Sequence, residues 1–244
     1  MRLLCLHGAR ANSDITRLQL SSLGLDQLGH ELDCIDAPLE AETSWDGQGQ
    51  GRSWQQVGES TSKEVLAQEL RTSLRFVIKH VREHGPYDGA FGFSQGAAIV
   101  TLLSDPGVRK SMIAGPDQPL WDFVVLACGV DYLVAQKQTD MEGLLTLPSL
   151  HILGEADLFK KQSEELLGRY ERPHVLRHAF GHELPLTLRT EHPDLLHDVA
   201  QFVSSPGVAP TVLDTGLSIK GLMYMFVPLL LLLFLGYEMN VPHL

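Results

Sequence analysis

The chemistry of this 244-residue chain starts from a serine between two glycines, in the stretch "DGAFGFSQGAA" at residues 88–98. Ser94 has Gly92 and Gly96 two positions to either side. A serine hydroxyl is a weak nucleophile near neutral pH. It becomes reactive when a base removes its proton and a third group holds that base in place. The pattern Gly-x-Ser-x-Gly carries meaning when a strand precedes it and a helix follows, because the sharp turn between them lifts the hydroxyl above a sheet. Here "YDGAFGF" reads as the strand and "QGAAIVTLL" as the helix. The partners are then expected in the order serine, acid, histidine. Asp157 closes "PSLHILGEAD" (148–157), an apolar strand-like run, and His182 follows a later one within "FGHELP". Glu155 and Asp131 are weaker rivals for the acid. Asp157 has an alternative role as a cap of the helix that follows it.

Acyl transfer also needs two backbone N–H groups for the developing oxyanion. One is expected from Gln95, the residue after the nucleophile. The other is expected from Ala9, in "LHGARAN" after the first strand, where Gly8 lets the backbone approach a substrate. His174, His178 and His182 recur every fourth residue, a spacing that on a helix would suit a metal. The β-branched and aromatic content around them, and Pro173, favour a strand instead. His182 then lies beyond its end, and no metal site is expected. His151 reads as a packed strand residue.

The elements that must position these groups alternate along the chain. Strand-like runs are "RLLCLHG" (2–8), "ELDCIDAP" (31–38), "YDGAFGF" (87–93), "WDFVVLACGV" (121–130), "PSLHILGEAD" (148–157) and "PHVLRHAFGH" (173–182). Helical spacing of apolar residues appears at 16–29, at 63–84 (Val65, Leu66, Leu70, Leu74, Val77, Ile78 and Val81), at 95–103 and at 193–204. The longest has a serine-rich cap at Ser60–Ser62 and stops at Gly85-Pro86. Strands alternating with helices predict an α/β fold, a mostly parallel sheet covered on both faces. Residues 40–60 are rich in Gly and Gln and aperiodic. They follow a strand end on the side of Ser94, and Trp45 and Trp54 are expected to wall an acyl pocket.

Net charge is −11 and no Lys/Arg cluster occurs, which argues against nucleic acid as a partner. Cys5, Cys34 and Cys128 are odd in number and widely spaced, as buried thiols of a reducing compartment would be. The N-terminal apolar run is too short for a secretory signal. The C-terminal end differs. Residues 205–220 hold prolines and glycines and read as a linker after a domain at 1–204. Residues 221–237, "GLMYMFVPLLLLLFLGY", are seventeen without a charge. As a helix they span roughly 25 Å, close to the hydrocarbon thickness of a thin bilayer such as that of the endoplasmic reticulum. The expectation is a transmembrane helix anchoring the catalytic domain in the cytosol.

Five stretches, "LCLHGARANSDITRLQL", "DCIDAP", "GPYDGAFGFSQGAA", "PSLHILGEAD" and "FGHELP", resemble in order and spacing the fungal-type serine hydrolase (FSH) family of α/β-hydrolases. The resemblance covers about residues 1–204. It implies a compact α/β-hydrolase without a large lid, a triad of Ser94, Asp157 and His182, no cofactor, and carboxylesterase or acyl-thioesterase activity. The segment after Asp36, with Trp45, Arg52 and Trp54, is only loosely similar, and the apolar C-terminal segment is an addition. Two other readings stay open at this point. One is a catalytically silent binding or scaffold protein on the same fold, and the other is an amidase or peptidase with the same triad.

Overall fold

The computed structural model describes residues 1–41, 44, 50–56, 62–113, 117–131 and 143–207. They fall within one of the two units into which the chain divides, Met1–Pro210. Six strands form a parallel sheet: β1 (Arg2–Leu6), β2 (Glu31–Ile35), β5 (Gly89–Phe93), β6 (Phe123–Ala127), β7 (Ser149–Gly154) and β8 (Pro173–His178). Their spatial order is β2-β1-β5-β6-β7-β8. Two short strands between them, β3 (Leu39–Glu40) and β4 (Arg52–Ser53), pair antiparallel with each other.

The sheet has two buried faces because successive side chains along each strand point to opposite sides. Leu3, Cys5, Phe91, Phe93, Phe123 and Val125 face one way, together with Leu20 of α1 (Ser13–Ser22) and Leu195, Val199 and Phe202 of α7 (Pro193–Ser204). Leu4, Leu6, Ala90, Val124 and Leu126 face the other way. They meet Leu70, Leu74 and Val77 of α2 (Lys63–His84) and Ile99, Val100 and Leu103 of α3 (Gln95–Ser104). Strands buried on both sides must be apolar throughout, which is why β5 and β6 read as uninterrupted apolar runs. α4 (Pro106–Ile113) follows α3, and α5 (Lys160–Leu167) and α6 (Leu188–Glu191) complete the helices of this description.

Local signals set the helix ends. Asn12 caps α1 by accepting from the Ile15 N–H at 3.0 Å, and Ser62 caps α2 by accepting from the Val65 N–H at 3.3 Å. Pro193 opens α7, where its missing N–H costs nothing. The leucine-rich run at 16–29, expected as one helix, is instead α1 and a separate turn of 3₁₀ helix at Leu25–Gln27. Gly24 between them has φ of +73°, a left-handed conformation that ends a helix. The strands are shorter than the apolar runs suggest, since the runs continue into the loops that carry the site.

His151 lies inside β7, 2% exposed and edge-on to the Tyr170 ring at 4.8 Å. Burial holds its pKa down at about 3, so it packs as a neutral ring. Cys5, Cys34 and Cys128 are buried free thiols. Among the described residues no helix is long and apolar enough to cross a membrane. The expected span at 221–237 and the linker from 208 onward lie outside the described residues.

Candidate active site

All the site residues sit at the carboxyl ends of the parallel strands, where side chains leave the core and the loops open. Chain order reverses across the pair β1 and β5, the switch point at which open α/β sheets carry their sites. Ser94 follows β5 directly. Its φ of +52° and ψ of −114° form a strained turn that a non-glycine residue rarely adopts. The flanking glycines make that turn possible. A Cβ on Gly92 would fall 2.6 Å from the Ala97 N and Cα, and one on Gly96 would fall 2.6 Å from the His7 carbonyl oxygen. Only a bare backbone lets strand, helix and the neighbouring β1 loop close on one another here.

His182 stands in the loop after β8. Its Nε2 is 2.9 Å from Ser94 Oγ and its Nδ1 is 2.8 Å from Asp157 Oδ2. Asp157 lies three residues beyond β7, and its Oδ1 accepts from the Phe159 N–H at 2.7 Å. Burial alone would raise the Asp157 carboxyl. The hydrogen bond and charge of His182, then the Phe159 N–H and the Cys128 thiol, outweigh it and hold the pKa below the ordinary carboxylate value. Asp157 therefore stays ionised beside the imidazole. The rival acids have other partners. Glu155 is bound to Lys160 at 2.5 Å and Arg177 at 3.2 Å, and Asp131 to Arg169 at 2.9 Å. The helix-cap alternative is not what forms: the Asp157 Oδ1 contact lies in the turn ahead of α5, whose N-cap is Phe159 with no side-chain cap.

Three neighbours of this constellation carry no signature in sequence. Phe93 and Phe159 pack on the His182 ring, at 5.2 Å and 4.9 Å between centroids. Phe159 keeps 43% of its surface exposed, so an aromatic face borders the imidazole. Cys128, at the end of β6, has a φ of +46° and lies with Asp157 and His182 so that their donor atoms fall within 4.8 Å. Burial, then the Asp157 charge, pushes its thiol pKa well up, so the thiol stays neutral beside the carboxylate. These three residue types could ligate a metal, yet both imidazole nitrogens already face Asp157 and Ser94. Of the other two histidines in the four-residue series, His174 packs on Phe202 at 5.4 Å and His178 is buried against Phe180 at 5.8 Å.

The β1 loop comes up against the nucleophile turn. A Cβ on Gly8 would lie 3.3 Å from Ser94 Cβ, so Ala9, the next residue, stands beside the Ser94 turn. Gln95 opens α3 immediately after Ser94. Trp54 does not stand where a pocket wall was expected. Its side chain is fully buried, and its indole N–H donates to the His7 carbonyl at 2.8 Å. An aromatic residue in an aperiodic stretch on the side of Ser94 reads as a pocket wall, but Trp54 is instead bound to the β1 loop, α2 and α3. Trp45 lies outside the described residues.

The family model for "Serine hydrolase (FSH1)" matches residues 1–193. The chain belongs to this family. Its relatives include an esterase of Drosophila melanogaster, CG5412, 30% identical across 77% of this chain and 69% of that protein. The esterase OVCA2 of Xenopus tropicalis is 30% identical across 76% of this chain and 86% of its own length. Among solved structures, acyl-protein thioesterase 2 of Zea mays shares the fold, with a TM-score of 0.55 over 83% of this chain and 92% of that one at 17% identity. Esterase PE8 superposes with a TM-score of 0.57 at 17% identity, covering 83% of this chain and 91% of its own. The protein is an FSH1-family serine hydrolase on an α/β-hydrolase fold.

Proposed function

We propose that this hydrolase cleaves carboxylic esters or acyl thioesters through an acyl-enzyme formed on Ser94. The carrying observation is the Ser94 hydroxyl, raised on a left-handed turn 2.9 Å from His182 Nε2, while His182 Nδ1 meets Asp157 at 2.8 Å. Ser94 Oγ attacks the acyl carbonyl and His182 Nε2 takes its proton. Asp157 keeps the other proton on Nδ1, so that Nε2 is the basic nitrogen, and stabilises the imidazolium that forms. The N–H groups of Ala9 and Gln95 receive the oxyanion. His182 then protonates the departing alkoxide or thiolate. A water, deprotonated by the same nitrogen, releases the acid. No metal or cofactor takes part. Labelling of Ser94 by a fluorophosphonate probe tests the nucleophile, and a panel of acyl esters and thioesters of graded length tests the substrate class.

The esterase relatives favour ester cleavage, and the fold shared with a plant acyl-protein thioesterase adds the thioester alternative. The enzyme works at a membrane in this reading. Residues 221–237 form a single-pass helix in the endoplasmic reticulum membrane, with the catalytic domain in the cytosol. Seventeen uncharged residues with no polar face support it. Substrates are then acyl groups presented near a bilayer, such as lysophospholipids or acylated proteins. Full-length protein is expected to stay with carbonate-washed membranes, while a version ending at Ser204 is released. Equal behaviour of the two forms would refute the anchor.

A further inference from the structure

The short segment that carries β4 is tied to the nucleophile on one side and to the β1 loop on the other. Gln95, one residue past Ser94, uses both ends of its side-chain amide there. Its Oε1 accepts from the Trp54 backbone N–H at 2.7 Å, and its Nε2 donates to the Gln55 carbonyl at 2.7 Å. The Trp54 indole N–H donates to the His7 carbonyl at 2.8 Å. Further along the loop, the Arg10 N–H donates to Ser53 Oγ at 3.0 Å and the Arg52 N–H donates to the Ala11 carbonyl at 2.8 Å. α2 anchors the segment from behind. Ser73 Oγ donates to the Trp54 carbonyl at 2.5 Å, and Gln55 Nε2 donates to the Leu66 carbonyl at 2.8 Å.

The clamp holds the His7 carbonyl on one side of the Gly8–Ala9 peptide and the Arg10 N–H on the other, and the His7 side chain holds the peptide between them. His7 Nδ1 lies 2.6 Å from the Gly8 carbonyl oxygen, and its Nε2 is met by the Ala37 N–H at 2.9 Å. A neutral ring satisfies both contacts, with Nδ1–H donating and Nε2 accepting. Burial pushes the His7 pKa below its ordinary value, in keeping with that form. The Gly8 carbonyl and the Ala9 N–H belong to the same planar, trans peptide unit. Holding the Gly8 oxygen therefore fixes the direction of the Ala9 N–H.

We propose that Trp54 and Gln95 are positioning residues that lock the His7–Gly8–Ala9 backbone, and with it the Ala9 N–H, into register with the turn that carries Ser94. The proposal rests on the acyl-transfer reading above, in which that N–H receives the oxyanion. Sequence distance hides the device, because the clamp joins residues 7–11, 51–55 and 95. It also gives the fully buried indole a purpose that packing alone does not require. The N–H end of the ring reaches a backbone carbonyl of the oxyanion loop, and the backbone beneath it is read by the side chain next to the nucleophile.

Trp54→Phe removes the indole donor and keeps an aromatic ring in the core. Gln95→Met removes both amide contacts at nearly constant length and leaves the Gln95 backbone position in place. Each full-length variant is assayed with p-nitrophenyl butyrate and with an alkyl boronic acid, whose tetrahedral adduct on Ser94 presents an oxygen to the oxyanion site. Misplacing one oxyanion donor is expected to lower kcat on the order of 10- to 100-fold. KM should change little, and the boronate Ki should weaken in proportion to the loss in kcat. The double variant should be no worse than the more damaging single one, since both changes open the same clamp. Unchanged kcat in folded variants overturns the proposal, and so does a change confined to KM or melting temperature. Should Trp54→Phe fail to fold, Gln95→Met decides alone. Wild-type enzyme supplies the control: boronate that does not protect Ser94 from a fluorophosphonate probe would overturn the nucleophile reading and this proposal together. Protection in wild type with no variant effect overturns only the clamp.

Discussion

Ser94→Ala is expected to lower kcat by about 10⁶-fold toward acyl esters while leaving the fold intact, by analogy with the loss measured when a triad serine is removed from a protease. The expectation follows from geometry. Oγ is the Ser94 atom that meets His182 Nε2, at 2.9 Å, and the elbow itself is held by the backbone of β5 and α3 and by the flanking glycines, none of which the substitution touches. Removing one oxygen from a residue that is 8% exposed leaves no cavity of consequence in the core. Steady-state hydrolysis of p-nitrophenyl esters and acyl thioesters, with a thermal melt of each protein, checks it. His182→Ala should cost a similar factor, because nucleophile and base act as one unit and their losses do not add. A purified, folded Ser94→Ala protein retaining even a few per cent of wild-type turnover would exclude Ser94 as the nucleophile.

Asp157→Asn should lower kcat by roughly 10⁴-fold, again by analogy with an equivalent change in a serine protease. An asparagine amide can donate to His182 Nδ1, which leaves the proton on Nε2 and turns the base into a donor toward Ser94. The variant also replaces a charge that stabilises the imidazolium. Asp157→Ala should be comparable, whereas Glu155→Gln and Asp131→Asn should stay within a few-fold of wild type, since those carboxylates serve Lys160, Arg177 and Arg169. The sign of the pH effect follows from the depressed Asp157 pKa. The native state prefers the ionised form, so this carboxylate contributes stability above its unfolded value of about 3.9, and the contribution is lost as pH falls through the lower native value. Comparing the acid limb of melting temperature in wild type and Asp157→Asn measures it: the variant should lose less stability below pH 4. Full activity in Asp157→Asn, or loss in Asp131→Asn instead, would reassign the acid.

Much of the site is legible in the order of residues because its parts are local. A strand, a glycine-flanked serine and a helix occupy consecutive positions, so the elbow shows as a short pattern. Asp157 and His182 each follow an apolar run that ends where a strand must end. The alternation of apolar runs with helical stripes likewise reports a sheet covered on both faces, and it does so without any long-range contact. Periodicity is less informative at the boundaries, as the division of 16–29 at Gly24 shows. A leucine spacing continues through the break, and only the backbone conformation reveals it.

The sequence by itself singled out Ser94 and His182 as candidates, and it determined the parallel α/β layering and the uncharged segment at 221–237. Each of these depends on residue type and spacing within one stretch. The tertiary structure decided which acid faces His182, since Asp131, Glu155 and Asp157 all follow strands and only distance separates them. It also decided the place of Trp54 and the neighbours of the imidazole. Trp54 belongs to an aperiodic segment, but the order β2-β1-β5 sets β1 beside β5, so the loops at residues 7–11 and 94–95 meet, one accepting from the indole N–H and the other from the Trp54 backbone N–H. Cys128 and Phe159 reach the triad for the same reason: adjacent parallel strands end side by side, however many residues lie between them along the chain. Burial of an aromatic ring and partnership of a carboxylate are properties of such meetings, and no local pattern encodes them.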